Sequence, residues 1–462
     1  MASLSRQLAQ WIVGLRDEDL PPAVTDRARG LTLHGLTSIL LGSQSSAGQQ
    51  AVSLITEEEA GATNGATIMV HGIRATRGGA AFANSEMAFA GGKWDTFRML
   101  THPGTSIIPG AFVAAEQSGA PGREFITALA AGYEVMERMA ADFIPTVMSR
   151  GFHAGPVFGI FGPAVAAAKM LRPTEDQVNS TIALCASLAA GNLEGARSGG
   201  RALREGAAVR NAMLAVALAK QGHPGGETVL EGDAGFYHAY AGNNLGRLTL
   251  SFVGDTRTSL DKITAGLGRE WIFLETLYRI YHTAGYNIAH VDVTAELCRE
   301  HDIRHQDVER VEAVVNWLET QYPSPAFPSR REDGEAQPGG TAYFTAYGVV
   351  RRGLPALWKQ PGHDDPPEVL DLMKRVTIIP SHRMTLFGPR ITIFTRSGKS
   401  FTKQSTGREF MWSFDEEVRR LQDVVPGLPI PATRFDEIVA TCRDLDRQAR
   451  ADALVRLTLA KT

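Results

Sequence analysis

The chain has 462 residues, 44% hydrophobic and 21% charged, a composition typical of a soluble globular protein large enough for two domains. Its 47 basic and 50 acidic residues are spread along the sequence and give a net charge of -3, which argues against a nucleic-acid partner. No apolar run approaches the ~18 residues that a membrane span needs, and the N-terminus lacks the apolar core of an export signal. We therefore expect a cytoplasmic protein.

The first half of the chain predicts one helix after another. Leu4, Leu8 and Ile12 recur at three- and four-residue spacing, and a second helix follows Pro21-Pro22. Further helices are predicted at about 45–57, 74–90, 106–117, 122–143, 158–171, 174–190 and 206–221. Many of them are rich in Ala and Gly, and small residues let helix axes approach closely. The sequence therefore predicts a compact helical bundle.

After about residue 261 the periodicity changes to the alternation that is typical of strands. The predicted elements are strands at 311–317, 376–379 and 390–394 and helices at 287–300, 341–352 and 366–373. Helices return at 416–421 and 435–457. We predict a mainly α protein with a large helical domain (1–262), a smaller α+β lid domain (263–406), and a C-terminal return to the helical domain (407–462).

Several common kinds of site are not indicated. Cys185, Cys298 and Cys442 lie far apart, which predicts buried apolar residues rather than disulfides or a zinc ribbon. Motifs for phosphate loops, dinucleotides and serine hydrolases are absent, so no cofactor is expected. His301 and His305 are spaced to share a helix face, but no third ligand lies nearby; surface histidines are the favoured interpretation, and no metal is expected.

The strongest candidate site lies between Asn84 and Glu116. Gly91-Gly92 ends one helix, and His102-Pro103-Gly104 interrupts the chain before the next one begins. We predict a short irregular segment that carries Asp95, Thr96 and His102. Reactive side chains are often placed on such loops between rigid elements.

A second histidine, His153, is also flanked by helix breakers, in the segment 150–156. Imidazole can both remove and deliver protons near neutral pH, so the two histidines could meet in one cleft, although each could equally be a capping residue. The glycine-rich segment 195–208 carries three arginines before a helix. That pattern fits a carboxylate or phosphate site or, with equal weight, a solvated basic turn.

The order and spacing of several segments resemble the MmgE/PrpD family across nearly the whole chain. These segments are 8–42, 84–116, 131–134, 152–169, 206–222 and 230–236, together with His290. Known members are 2-methylcitrate dehydratase, cis-aconitate decarboxylase and iminodisuccinate epimerase. The resemblance implies a cofactor-independent enzyme acting on a small di- or tricarboxylic acid, a helical domain with an α+β lid, and a homodimer.

The resemblance also implies roles for individual residues. His102 matches the histidine of the family's His-Pro pair, and His153 matches its second loop histidine. Asp95 and Thr96 match the end of the family's Asp-Asp-Thr run. We expect the two histidines to be the catalytic base and acid, and Asp95 and Thr96 to orient them.

Five positions depart from the family pattern. Trp94 replaces the first aspartate of the run, Gly92 a further aspartate of dehydratase-like members, and Phe89 a histidine. Arg201 and Arg279 stand where lysines are expected. Because arginine keeps its proton, both can clamp carboxylates but cannot exchange protons. Without an aspartate at position 92, the site lacks a side chain that could orient or protonate the leaving hydroxyl in a dehydration.

Proton transfer is then expected from the two histidines, with Tyr286 and His282 from the lid as substrate-binding helpers. The resemblance favours a lyase of the dehydratase or decarboxylase type, acting by proton abstraction next to a carboxylate. An epimerase of a dicarboxylate that uses both histidines is the alternative, since stereoinversion needs a proton acceptor on each face and no leaving-group acid. A non-catalytic carboxylate-binding protein is the second alternative.

Overall fold

The structure is a computed structural model, and it describes residues 2–197, 204–281, 283–320, 336–355 and 365–460. Arg201 and His282 fall outside these ranges. The fold is mainly α with a small sheet-containing region, which confirms the predicted fold class. Within the described ranges, no helix combines the length and the apolar character needed to cross a membrane.

The N-terminal part consists of helices and three very short strands, of which the first two pair with each other. In chain order its elements are α1 (Leu4–Gly14), α2 (Pro22–Gly42), α3 (Ser46–Glu59), β1 (Ala66–Ile68), β2 (Ile73–Ala75), α4 (Arg77–Ala90) and β3 (Trp94–Thr96). Ser3, Ser45 and Thr76 each accept a backbone N–H three residues later and so start α1, α3 and α4; such a cap stabilises a helix by about 1 kcal/mol. α2 is buried along most of its length and packs against α4.

The helical bundle continues with nine further helices in the described chain. They are α5 (Gly104–Ser118), α6 (Gly122–Ala140), α7 (Ile144–Ser149), α8 (Ala154–Gly159), α9 (Phe161–Met170), α10 (Glu175–Leu188), α11 (Glu194–Arg197), α12 (Glu205–Lys220) and α13 (Phe236–Ala241). α9 packs against α5, α6 and α12. A Cβ at Gly132 of α6 would lie 2.6 Å from the carbonyl oxygen of Gly162 in α9, so these helices cross where only glycine fits.

The predicted helix over 158–171 is wrong at its start, because α8 ends at Gly159 and α9 begins at Phe161. Pro163 explains the break. Proline has no N–H to donate, and its ring clashes with the carbonyl four residues earlier, which here belongs to Gly159. α8 therefore is a separate short helix, and the interruption falls at Ile160.

The sheet-containing region follows the bundle. Its elements are β4 (Leu277–Arg279), α14 (Gly285–Glu300), β5 (Val308–Asn316), α15 (Thr341–Arg351), α16 (Pro367–Met373), β6 (Val376–Ser381), β7 (Arg390–Thr395) and β8 (Ser400–Gln404). The last four strands form one sheet in the order β6-β5-β7-β8; β5 and β6 run parallel, and the other pairs are antiparallel. Apolar residues of β5 and β7 share a separate core with α14 and α15.

The shared helix face considered for His301 and His305 does not form. α14 ends at Glu300, and His305 begins a separate 3-10 turn, so the two rings do not share a helix face. His301 instead stacks on Phe401, with ring centroids 4.4 Å apart. The described residues contain no group of three or more side chains that could hold a metal ion. The three cysteines are buried and unpaired, as predicted.

The C-terminal segment returns to the helical bundle. It contains α17 (Phe414–Leu421), α18 (Ala432–Arg443) and α19 (Ala453–Leu457), and both α17 and α18 pack against α2. The continuous helix predicted for 435–457 is wrong. After α18 the chain opens and Gln448 accepts the Gly122 N–H at 2.9 Å, so its backbone bonds the start of α6 instead of continuing the helix.

Candidate functional site

The segment that carries Asp95 is a strand, so the predicted irregular loop is corrected here. β3 pairs antiparallel with β4, and Trp94, Asp95 and Thr96 lie opposite Arg279, Tyr278 and Leu277. Successive side chains of a strand point to opposite faces. Trp94 and Thr96 therefore share one face, Asp95 projects from the other, and the pairing brings Arg279 beside Trp94.

Asp95 is buried, and hydrogen bonds hold both of its carboxylate oxygens. The backbone N–H of Gly104 donates to them at 2.9 and 2.8 Å, and the Tyr133 hydroxyl donates at 2.7 Å. A Cβ at Gly104 would lie 2.7 Å from the Asp95 carboxylate, so only glycine fits here. Burial raises the pKa of Asp95, while the hydroxyl of Tyr133 and the N–H of Gly104 lower it. Asp95 thereby fixes the start of α5 to β3.

His102 has a defined proton position. Its Nδ1 lies 2.9 Å from the carbonyl oxygen of Asp95 and 3.3 Å from Thr96 Oγ1. A carbonyl can only accept, so Nδ1 carries the proton and Nε2 keeps its lone pair. Burial, followed by the charge of Arg279, lowers the pKa of His102 well below its ordinary value. His102 is therefore a neutral imidazole with a bare Nε2, which is the form a general base needs.

His153 faces hydrogen-bond donors on both sides. As the N-cap of α8 its Nδ1 lies 3.1 Å from the N–H of Gly155, and its Nε2 lies 3.0 Å from Nη1 of Arg204. Burial and then the charge of Arg204 lower the pKa of His153 to about 3, so the ring is neutral. A neutral imidazole has one lone pair, and neither donor can accept. One of the two contacts is therefore unsatisfied while Arg204 stays in place.

An aromatic layer separates the two arginines. Phe89 and Trp94 stack with ring centroids 4.7 Å apart. The guanidinium of Arg204 lies 4.8 Å from the Phe89 ring, and that of Arg279 lies 4.4 Å from the Trp94 ring. Trp94 also contacts His102, at 4.5 Å between ring centroids. Cation–π contacts of this kind orient a guanidinium without neutralising it, so the layer holds two positive groups beside the histidines.

Two further groups near the site bear on anion binding. Lys93 is 4% exposed and lines a small cavity with Asp95 and His34, and burial, followed by the charge of Arg279, lowers its pKa to about 8. Among the described carboxylates, none forms an ion pair with Lys93. Nε of Arg204 is also buried and has no hydrogen-bond partner in the described part of the chain. Buried cations and unused donors of this kind are suited to an anionic ligand.

The structure brings together most of the predicted site residues that it describes. Asp95, Thr96 and His102 share the β3–α5 connection, Arg279 joins them through β4, and His153 lies close enough to His102 for the two rings to interact electrostatically. Tyr286 is buried in the first turn of α14.

Two site residues, Arg204 and Lys93, were not predicted individually. Arg204 belongs to the arginine-rich segment, and its place directly before α12 was the available signal. Lys93 had no signal beyond its neighbours.

Comparison with known proteins gives a family. Residues 6–247 match the MmgE/PrpD N-terminal domain. The chain is 26% identical over 316 residues to the cis-aconitate decarboxylase-like protein oryM of Aspergillus oryzae, which covers 65% of this chain and 63% of that protein. It is 25% identical over 410 residues to a cis-aconitate decarboxylase of Aspergillus terreus, covering 82% and 79%.

The human cis-aconitate decarboxylase is 29% identical over 168 residues, covering 35% of each chain. The family match spans just over half of the 462 residues. The protein therefore belongs to the MmgE/PrpD family.

Proposed function

We propose that the protein is a lyase that removes CO2 from a small unsaturated tricarboxylic acid, with cis-aconitate as the first candidate, using its own side chains for proton transfer. The contact between Arg204 and His153 carries this proposal, because it sets two hydrogen-bond donors against one neutral ring. An anion that accepts the hydrogen bonds of Arg204 would leave the lone pair of His153 to a single donor. The names of the relatives, which are cis-aconitate decarboxylases, support the choice of substrate.

Substrate carboxylates would bind at the two guanidinium groups, at either end of the aromatic layer. Arg204 would turn its donors from His153 Nε2 to a carboxylate, which accepts them in a bidentate pair. His153 can then keep its Nδ1 lone pair on the N–H of Gly155 and carry its proton on Nε2. Ligand binding would thus convert His153 into a proton donor. Arg279 would hold a second carboxylate beside Trp94 and His102.

The reaction needs one base and one acid. His102 Nε2 would take the proton of the departing carboxyl group, so that the group leaves as CO2. The C–C bond to that group breaks, and its electron pair forms a new double bond. The electrons of the existing double bond move to the carbon beside another carboxylate, and that carbon takes the proton of His153 Nε2. Arg279 and Arg204 would stabilise the charge that develops on the carboxylates.

Decarboxylation suits this site better than dehydration. A dehydratase needs an acid beside the leaving hydroxyl, but Gly92 has no side chain, and Phe89 and Trp94 form an aromatic surface. The carboxylate of Asp95 is bound on the other face of β3. CO2 leaves without charge and needs no such acid. An aromatic surface also favours a departing group that is uncharged, as both the carboxylic acid and CO2 are.

Epimerisation of a dicarboxylate is the second candidate. The observation that favours it is the pair of complementary proton states, with a bare nitrogen on His102 and an Nε2–H on ligand-bound His153. Stereoinversion at the carbon next to a carboxylate uses such a pair, one ring to remove a proton and the other to return one. The two candidates differ in product: an epimerase exchanges a hydrogen and keeps every carbon.

The test is proton NMR of the protein with cis-aconitate and a panel of dicarboxylates in deuterated buffer. The expected result is a decarboxylated alkene that carries one deuterium at the newly protonated carbon, absent from the His102→Asn and His153→Asn variants. Deuterium exchange with inversion and no CO2 would replace the proposal with the epimerase. Binding without exchange or product would leave a carboxylate-binding protein and overturn both catalytic candidates.

A further inference from the structure

A buried ion pair lies next to β3, the strand whose Asp95 carbonyl binds His102. His34 of α2 contacts Glu417 of α17, with Nδ1 and Oε1 2.6 Å apart. Both side chains are almost completely enclosed, at 2% and 0% exposure. The pair joins an N-terminal helix to the C-terminal return. The other neighbours of His34 belong to β3 and β4, the strands of the candidate site.

His34 faces both strands of the β3–β4 pair. Its ring packs edge-on against Tyr278, the residue opposite Asp95, with centroids 5.4 Å apart. Together with Lys93, Asp95 and Gly104 it lines a small cavity of about 10 Å³ between α2, β3 and α5. Such a cavity holds one water at most. No loose solvent layer therefore separates His34 from the carboxylate that fixes the start of α5.

Acidic and basic side chains lie close together on this side of β3. Burial alone would lower the pKa of His34, but the Glu417 carboxylate, then Asp95 and the Trp94 carbonyl, raise it overall. His34 thus contacts the Glu417 carboxylate through Nδ1 and shares a small cavity with Asp95, while its Nε2 has no hydrogen-bond partner in the described part of the chain. The pKa of Asp95 is raised overall, because burial outweighs the lowering effects of Tyr133, Gly104 and His34. A buried carboxylate without a nearby cation would tend to take up a proton.

We propose that Glu417 and His34 are positioning residues, which hold β3 in place so that the Asp95 carbonyl sets the orientation of His102. Four links carry the effect. Glu417 binds His34, His34 and Asp95 line the same small cavity, the Asp95 side chain binds Gly104 at the start of α5, and the Asp95 carbonyl accepts from His102 Nδ1. Neither residue touches the substrate site. The catalytic part of this inference rests on the function proposed above, whereas the orientation of His102 does not.

The test compares Glu417→Gln with Asp446→Asn. Asp446 is a matched control because its ion pair with Arg29 also joins the C-terminal segment to α2, but at a partly exposed position. The expected result for Glu417→Gln is a kcat lower by between about 10- and 100-fold, since small displacements of a catalytic group have effects of that size. KM should change little, and Asp446→Asn should match the wild type in both.

A second variant separates positioning from stability. Replacing a buried ion pair by apolar side chains often preserves stability, so His34→Leu combined with Glu417→Met can fold even if Glu417→Gln does not. If the pair only stabilises the fold, this double variant recovers kcat together with its melting temperature. If the pair positions His102, kcat stays low in the double variant even when the variant is folded and stable.

Histidine NMR of the substrate-free protein tests the orientation without any turnover. With ring-¹⁵N-labelled histidine, assigned through His102→Asn, the wild type should show a neutral Nδ1–H tautomer for His102, and Glu417→Gln should shift or broaden it. Unchanged His102 signals together with wild-type kcat would overturn the inference. If no substrate is turned over by the wild type, the proposed function fails, and the NMR comparison still decides the orientation of His102.

Discussion

The His102 loop and the His153 loop have the same arrangement in sequence, a histidine just before a helix, but different arrangements in space. His102 is held by a strand carbonyl, and every polar contact of that loop pairs a donor with an acceptor. His153 faces two donors and has one lone pair for them. The hydrogen bonds of the His102 loop are satisfied without a ligand. Those of the His153 loop would be satisfied only when an anion binds Arg204.

The difference suggests a division of labour between the two rings. A base that must be ready before the substrate arrives benefits from a fixed proton position, as His102 has. An acid that should act only on a bound anion benefits from a proton position that the anion itself sets. The four predictions below test this contrast, beginning with the largest effect.

Replacing His102 breaks the complete loop. We expect His102→Asn to lower kcat by about 10²- to 10⁴-fold, the usual contribution of a general base. Asparagine can still donate to the Asp95 carbonyl, so the fold should survive. Steady-state release of CO2 from cis-aconitate measures the effect, and a thermal melt provides the control. Activity close to wild type in a folded variant would exclude His102 as the base.

Replacing Arg204 breaks the incomplete loop. We expect Arg204→Met to raise KM by about 10- to 100-fold, because a charge-assisted bidentate pair with a carboxylate is lost. Removing the guanidinium charge should also raise the pKa of His153, which NMR titration of its ring can follow. Arg210→Met is the matched control on α12, where Arg210 pairs with Glu59 on the surface. Equal KM values for the two variants would contradict the clamp.

Asp95→Asn tests whether the His102 loop depends on a carboxylate. The amide oxygen can accept from Gly104, but the second oxygen that now serves the two donors is gone. We expect the free energy of unfolding to fall by about 1–3 kcal/mol, as for loss of a charged hydrogen bond in a buried site. Urea denaturation measures it. An unchanged midpoint and slope would show that Asp95 does not fix the start of α5.

The smallest expected effect is a dependence of KM on pH, which tests the contribution of Lys93 to the positive charge of the site. The pKa of Lys93 is lowered to about 8, so its ammonium is present below pH 8 and is lost above it. We expect KM for an anionic substrate to rise a few-fold between pH 7 and pH 9. Lys93→Met should show a high KM at both pH values and no such rise. Identical pH profiles for wild type and variant would remove Lys93 from the site.

The fold was largely predictable, because long helices have a strong local signal. The bounds of α10 and α12 follow from apolar periodicity, and His102 and His153 stand out through the helix breakers beside them. β3 could not be predicted, since three residues have no periodicity and their partner strand lies far along the chain. Arg204 could not be told from its neighbouring arginines, because a glycine-rich loop has no pattern that shows which side chain faces inward.

Other residues depend on burial that the sequence does not reveal. His34 lies in the middle of α2, where a histidine is most simply a core residue, and its partner Glu417 belongs to a distant helix. Some expectations stay predictions: the domain boundaries at 262 and 406, the homodimer, and the cytoplasmic location. Substrate-binding roles for Arg201 and His282 concern residues outside the described ranges and stay predictions as well.

The pairing of β3 with β4, supported by α17, also has a consequence for synthesis of the chain. Both histidines leave the ribosome early, but Arg279 and then Glu417 follow much later. N-terminal parts of a chain generally fold first during translation. A nascent chain or a proteolytic fragment that ends near residue 247 would thus hold the matched family domain and both rings, yet lack the strand and the carboxylate that we propose set His102 in place. Reactivity would begin only when the polypeptide is nearly finished.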